Sequence, residues 1–145
     1  MLLVGGIGID RVTKWWAMTT SVDTTLCSCM NFSLLWNRGV TWGLFDDTAE
    51  VGFYILLGFI VLVTLFFAVY TFYYRYYCQR AFIVFEICVL SGAISNSVDR
   101  FLYGAVIDFI QLHLGSWYWP TFNVADIFIV IGVSGLMVRA LFFEG

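Results

Sequence analysis

The chain has 145 residues, of which 61% are hydrophobic and 12% charged, with a formal net charge of −3 and a mean hydropathy of +0.90. That length suits one domain rather than two, and the apolar fraction excludes an ordinary soluble globular protein. Its seven basic residues form no cluster, which argues against nucleic acid as a partner.

Leu2 to Met18 is the first and shortest predicted span. Its start, MLLVGGIGIDRVTKWW, lacks a basic leader, and Asp10, Arg11 and Lys14 interrupt the apolar run. A cleaved secretory signal fits this pattern poorly; a short, retained span fits better. Residues 19–50 follow, too many for a plain turn. Around Asn37 and Gly39 they mix aromatic and β-branched residues, which predicts short strands, a hairpin and a small sheet on the membrane surface. Cys27 and Cys29 lie too close in sequence for an unstrained bridge to each other. Cys78 and Cys88 fall at and within spans, so the four cysteines read as packed or unpaired thiols rather than a disulfide framework.

Val51 to Tyr74 carries no charge and is long enough to cross a bilayer core, which needs about 20 helical residues. Residues 75–80 form a short connector holding Arg75 and Arg80. Ala81 to Tyr103 is the next span, with Glu86 near one end and Asp99 and Arg100 near the other. Glu86 is expected to snorkel or to pair with Arg80. Residues 104–122 make a second surface segment, and Asn123 to Phe143, entered just after Pro120, is the last span. The expected fold is therefore an all-α, single-domain membrane protein of four transmembrane helices, with a small extracytoplasmic sheet after the first.

Basic residues set the direction. Arg75 and Arg80 occupy the short connector, and Arg139 can snorkel to the same side, whereas residues 19–50 are mainly acidic and residues 104–122 hold no Lys or Arg. Cytoplasmic loops are enriched in Lys and Arg, so both termini are expected in the cytoplasm. Trp15, Trp16 and Trp117 to Trp119 would then mark the outer boundary, and the tyrosines from Tyr73 to Tyr77 the inner one.

Asp99 and Asp126 arrive at one depth on this reading. From Ala81 to Asp99 is about 27 Å of helix, and Asp126 lies about 4.5 Å into an antiparallel helix beginning at Asn123. Two neighbouring carboxylates do not both ionise readily, so they share a proton and can act as acid and base toward a water. Ionisable groups inside a bilayer are expensive and usually functional. The bland reading makes Asp126 an N3 residue of a capped helix and Asp99-Arg100 a helix end. Asn96 and Asn123, each three residues before an aspartate, weigh toward a site.

Four blocks of sequence resemble the lipoprotein signal peptidases, or signal peptidase II. They are Asp10 and Lys14 in GIDRVTKWW, similar to D-x-x-x-K; NRGVTWG from Asn37 to Gly43; SGAISNSVDR from Ser91 to Arg100, followed by GAVIDFI from Gly104; and FNVAD from Phe122 to Asp126. The resemblance spans essentially the whole chain, and N-x-x-D-R with F-N-x-A-D is its most specific part. Ser91 stands where the family usually has glycine, Val40-Thr41 replace small alanines, and the first span starts short. The resemblance implies a catalytic pair of Asp99 and Asp126. Asn37, Asn96, Arg100 and Asn123 would position substrate and hold that pair; Asp10 and Lys14 would be structural or substrate-positioning, and Asp108 would support the outer loop. It also implies a bacterial inner-membrane enzyme, monomeric and without cofactor or metal. Its substrate would be a diacylglyceryl-modified prolipoprotein, cut just before the lipidated cysteine within membrane lipid.

Other classes fit less well. Gly132 to Gly135 spells the G-x-S-G of a serine protease, but Ser134 lies about 16 Å into the last span and His113, the single histidine, is in a surface segment. Small residues that let helices pack explain that patch. The cysteines lie on opposite sides, against a thiol oxidoreductase, and one histidine offers no metal-ligand set. The non-enzymatic alternative is a small transporter subunit or assembly factor using Asp99 and Asp126 as an ion relay or helix glue.

Overall fold

The computed structural model describes residues 1–20, 23–38 and 49–143. Four helices run alternately up and down: α1 Leu2–Thr20, α2 Ala49–Val69, α3 Val84–Tyr103 and α4 Val124–Phe142. The polypeptide beyond α2 stays helical but widens into π-helical turns over Tyr70–Cys78, closed by Gln79 N–H donating to the Tyr74 carbonyl. Arg75 therefore lies on a helix rather than in a loop, and α3 starts three residues later than the apolar run suggests. Helix α3 is central, packing against α4, α1 and α2.

Strands β1 Asp23–Cys27, β2 Met30–Asn37, β3 Val106–Leu114 and β4 Trp117–Tyr118 form an antiparallel sheet in the order β1-β2-β3-β4. An all-α description is thus too narrow. The sheet also reaches beyond the segment after α1, because β3 comes from the connector between α3 and α4. A tight turn falls at Ser28-Cys29 between β1 and β2; Asn37 ends β2, and the hairpin expected around Asn37 and Gly39 runs into residues 39–43, which lie outside the described region.

Strand β3 is the ladder that organises this end of the molecule. Its first five residues are buried. It pairs with β2 on one edge, Asn37 opposite Val106 and Leu35 opposite Asp108. On the other edge Ile110 exchanges backbone hydrogen bonds of 2.9 Å with Phe122. Ala17 of α1 packs with Phe109 and Ile110 under Phe32 and Phe122, and Trp16 meets Phe32 edge-on at 5.5 Å. The residue after Phe122 is the first of α4's cap, so the ladder fixes where α4 begins.

Two helical stretches, Val51–Cys78 and Val124–Phe142, are long and apolar enough to cross a membrane, and only 6% and 11% of their most apolar windows are buried in the protein. A soluble core helix would be covered; these faces suit lipid. Helices α1 and α3 carry more charge, but Asp10, Lys14, Glu86 and Asp99 are all buried against partners, which makes them compatible with a bilayer. At the end away from the sheet, Glu86 pairs with Arg139 at 2.6 Å and Arg75 at 3.4 Å. Arg80, its expected partner, instead lies over the Tyr77 ring.

Close approach of α3 and α4 depends on Gly92. A Cβ there would run into the Ala125 carbonyl oxygen and lie 2.7 Å from Ile129 Cγ1. Gly92→Val should push the first turn of α4 off α3 and destabilise the fold by about 1–3 kcal/mol. An unchanged thermal midpoint in detergent would contradict this packing account.

Candidate functional site

The polar side chains collect where β3, α1, α3 and the start of α4 meet. Asn123 is the N-cap of α4, with extended backbone, and its Oδ1 accepts from Asp126 N–H at 3.0 Å. Asp126 Oδ2 returns the favour by accepting from Asn123 N–H at 3.1 Å, completing a capping box. One turn in, Asp10 of α1 accepts from Ala125 N–H at 2.8 Å. Two of the orphan amides that every helix start leaves open are thereby satisfied from the side chains of two different elements.

The Asn123 amide nitrogen faces the other way, donating 2.6 Å to Asp108 Oδ1 and 3.1 Å to Asn96 Oδ1. Asn37 donates 2.8 Å to the second oxygen of Asp108. Asn96 in turn donates 2.8 Å to Asp126 Oδ1. Its own carbonyl is held by Lys14 Nζ at 2.8 Å, which fixes the amide so that its NH₂ group points at Asp126. Asp108 and Asp126 thus hang from a single asparagine, and the charge of one bears on the other. Asp108 is 2% exposed, whereas Asp126 is only half-buried and reachable from outside.

Burial pushes the Asp108 carboxyl up to about 6, the Asn37 bond opposes that, the charge of Asp126 adds to it, and the Asn123 bond and Lys14 oppose it. Arg100, one residue beyond Asp99, lies within electrostatic reach of Asp126, Asp108 and Asp99. It donates to the Asn96 backbone carbonyl at 3.3 Å, and its Nε is buried without a partner among the described residues.

Asp99 is committed elsewhere. One oxygen is taken by the Arg11 guanidinium. The other lies 2.7 Å from Lys14 Nζ and accepts from Ile107 N–H at 3.3 Å. Lys14 also lies 2.7 Å from Asp10, so two acids and two bases of α1 and α3 neutralise one another behind the site. Asn96 faces Asp126, while Asp99, one turn further along α3, faces α1. Sequence reasoning had no signal for Arg11, and it assigned Asp108 to loop support because nothing in the pattern showed β3 folding back across the start of α4. Ser134 is exposed on α4, and His113 stacks on Tyr118 at the far end of β3, so the serine-protease motif does not assemble.

The chain is similar to known proteins over most of its length. The sequence profile of the family described as Signal peptidase (SPase) II matches residues 2–142. The lipoprotein signal peptidase of Methylobacterium sp. (strain 4-46) is 41% identical over 111 residues, covering 77% of this chain and 66% of that protein. That of Pelagibacter ubique (strain HTCC1062) is 38% identical over 143 residues, covering 93% of this chain and 82% of the relative. A solved structure described as a bacterial membrane enzyme determined by the in meso method at 1.9 Å superposes with a TM-score of 0.75 at 24% identity, covering 99% of this chain and 92% of that one; it bears on the fold. None of these matches supports the transporter alternative.

Asp99→Asn should leave Lys14 and Arg11 short of a buried counter-charge and cost about 3–5 kcal/mol of stability. Thermal unfolding in detergent checks this; a midpoint equal to wild type would show that the ion network carries no weight.

Proposed function

The chain belongs to the signal peptidase II family, and from that premise we propose that it cleaves diacylglyceryl-modified prolipoproteins just before the lipidated cysteine, with Asp108 and Asp126 as its catalytic pair. The observation that carries the assignment is Asn123, which bonds both carboxylates while Asp99 stays locked to Lys14 and Arg11. Asp99 acts indirectly, holding Ile107 N–H and with it the strand that presents Asp108.

The chemistry follows from the unequal surroundings of the pair. Asp126 takes donors on both oxygens at a helix N-terminus, which suits a carboxylate. Asp108, buried and raised, suits the member that keeps the proton. A water between them loses its proton to Asp126 as it attacks the scissile carbonyl carbon, while Asp108 donates to the carbonyl oxygen. As the tetrahedral intermediate collapses, a proton passes to the departing amine of the lipidated cysteine. Arg100, a cation within electrostatic reach of both aspartates, fits a role in holding a substrate backbone carbonyl. Asn37, Asn96 and Asn123 hold the pair itself.

The substrate's lipid keeps its scissile bond near the membrane surface. Asp126 sits one turn inside a helix whose neighbouring residues Ile127, Val130 and Ile131 are exposed, so a signal helix can approach from the lipid side. Arg75, Arg80 and Arg139 at the opposite end favour an orientation with both termini in the cytoplasm of a bacterial inner membrane and the site at the outer face. The enzyme works as a monomer on this reading.

Asp108→Asn and Asp126→Asn should each lower kcat by at least about a thousandfold, the scale of losing an essential acid or base, while a prolipoprotein still binds. Mass spectrometry of the product in detergent reads the outcome. Full loss in Asp99→Asn with activity kept in Asp108→Asn would reverse the assignment.

The pH dependence has a defined sign. Asp108 must be neutral to donate, so activity falls as pH rises through its value, about 6 in the open site. Covering the site with a lipidated peptide removes water and raises that value further. The alkaline limb of kcat should therefore lie above that of kcat/KM. Asn37→Leu, which deletes a donor favouring the charged form, should move the kcat/KM limb to higher pH; a move to lower pH would refute the role of Asp108.

A further inference from the structure

Cys27 and Cys29 take no part in the site above. Cys27 ends β1, an edge strand exposed along its whole length, and Cys29 lies in the tight turn that leads into β2. Both are free and exposed, and their sulfurs lie 3.0 Å apart. The Cys29 carbonyl accepts from His113 N–H at 2.9 Å, which ties the turn to β3. Cys78 and Cys88 belong to the π-helical segment and α3. The hydrogen bond from Cys29 holds the Cys27 thiol below its ordinary value, and the same contact raises Cys29. One member of the pair is thereby prepared as the nucleophile and the other as its proton-bearing neighbour.

We propose that Cys27 and Cys29 form a surface dithiol site that reacts with disulfide-bearing oxidants and closes reversibly into a Cys27–Cys29 disulfide. The Cys27 thiolate attacks one sulfur of the oxidant's disulfide, forming a mixed disulfide and expelling the oxidant's other sulfur as a thiolate. Cys29 then loses its proton and attacks Cys27 Sγ, releasing the second thiolate. Two protein thiols are oxidised, one external disulfide is reduced to two thiols, and two protons leave the protein. Cysteines two residues apart close a small, strained ring, and strained bridges are the readily reduced ones, so the site cycles rather than staying shut. Its exposure to an oxidising compartment rests on the orientation proposed above; its thiol chemistry does not depend on the peptidase reading.

The full-length protein in detergent is treated with oxidised glutathione, alkylated with iodoacetamide, denatured and digested with trypsin. Cleavage after Lys14, Arg38, Arg75, Arg80 and Arg100 puts Cys27 and Cys29 alone in the peptide Trp15 to Arg38, with Cys78 and Cys88 in two others. That peptide should become lighter by two hydrogens, refuse the alkylating agent and recover both thiols with dithiothreitol. Cys29→Ser should trap one glutathione on Cys27, and Cys27→Ser should trap one on Cys29, neither variant closing to a bridge. Two alkylated cysteines after oxidant, a glutathione on each, or a bridge to Cys78 or Cys88 would overturn the proposal. A membrane-impermeant maleimide should label the pair in intact cells; labelling confined to inverted vesicles would overturn its placement in the oxidising compartment. Loss of prolipoprotein cleavage would leave these masses unchanged, so the two readings fail separately.

Discussion

A helix that begins inside a protein must find acceptors for its first amide hydrogens, and here that requirement shapes the whole polar centre. Asn123 caps α4 with its oxygen, receives Asp126 on its own N–H, and has its amide nitrogen left to reach Asp108 and Asn96. The cap cannot shift without moving both aspartates. It is itself held by the ladder through Phe122 and Ile110 and by Asp10 reaching across from α1. The sheet, which would otherwise be an appendage to a helical bundle, is what sets the register of the site.

Charge is sorted around that cap into two populations. Asp10, Asp99, Lys14 and Arg11 compensate one another within the bundle, where an uncompensated charge would be costly. Among the described residues Asp108 and Asp126 have no direct cationic partner; they have amide donors, with Arg100 within electrostatic reach but not bonded to either. Carboxylates supported by neutral donors and coupled to each other keep a proton available, whereas carboxylates bonded to cations do not. Lys14 joins the two populations, because the ammonium that neutralises Asp10 and Asp99 also orients Asn96 toward Asp126.

Much of this was legible in the sequence. The uncharged run from Val51, the N-cap signal at Asn123 and the Asp10–Lys14 spacing translate directly into helix geometry, because helices are built from near neighbours. What sequence did not carry was rotation and return. Asn96 and Asp99 are one turn apart, and only the packing of α3 decides that the first faces α4 and the second faces Lys14. The place of Asp108 beside Asn123 was hidden for a related reason: strand β3 finds its partners in β2 and at Phe122, and non-local pairing leaves little trace in local pattern. Glu86 shows the same limit, since its partner Arg139 is distant in sequence while Arg80 was merely near.

The central claim is that the proton belongs to the Asp108–Asp126 pair while Asp99 remains an ionised member of a salt-bridge network. Infrared difference spectroscopy of the detergent-solubilised protein, titrated between about pH 5 and pH 8, reads that proton through the carboxylic-acid stretch. The account predicts a protonated-carboxyl band at the acid end that disappears in Asp108→Asn and persists in Asp99→Asn. A band abolished by Asp99→Asn and untouched by Asp108→Asn would contradict it.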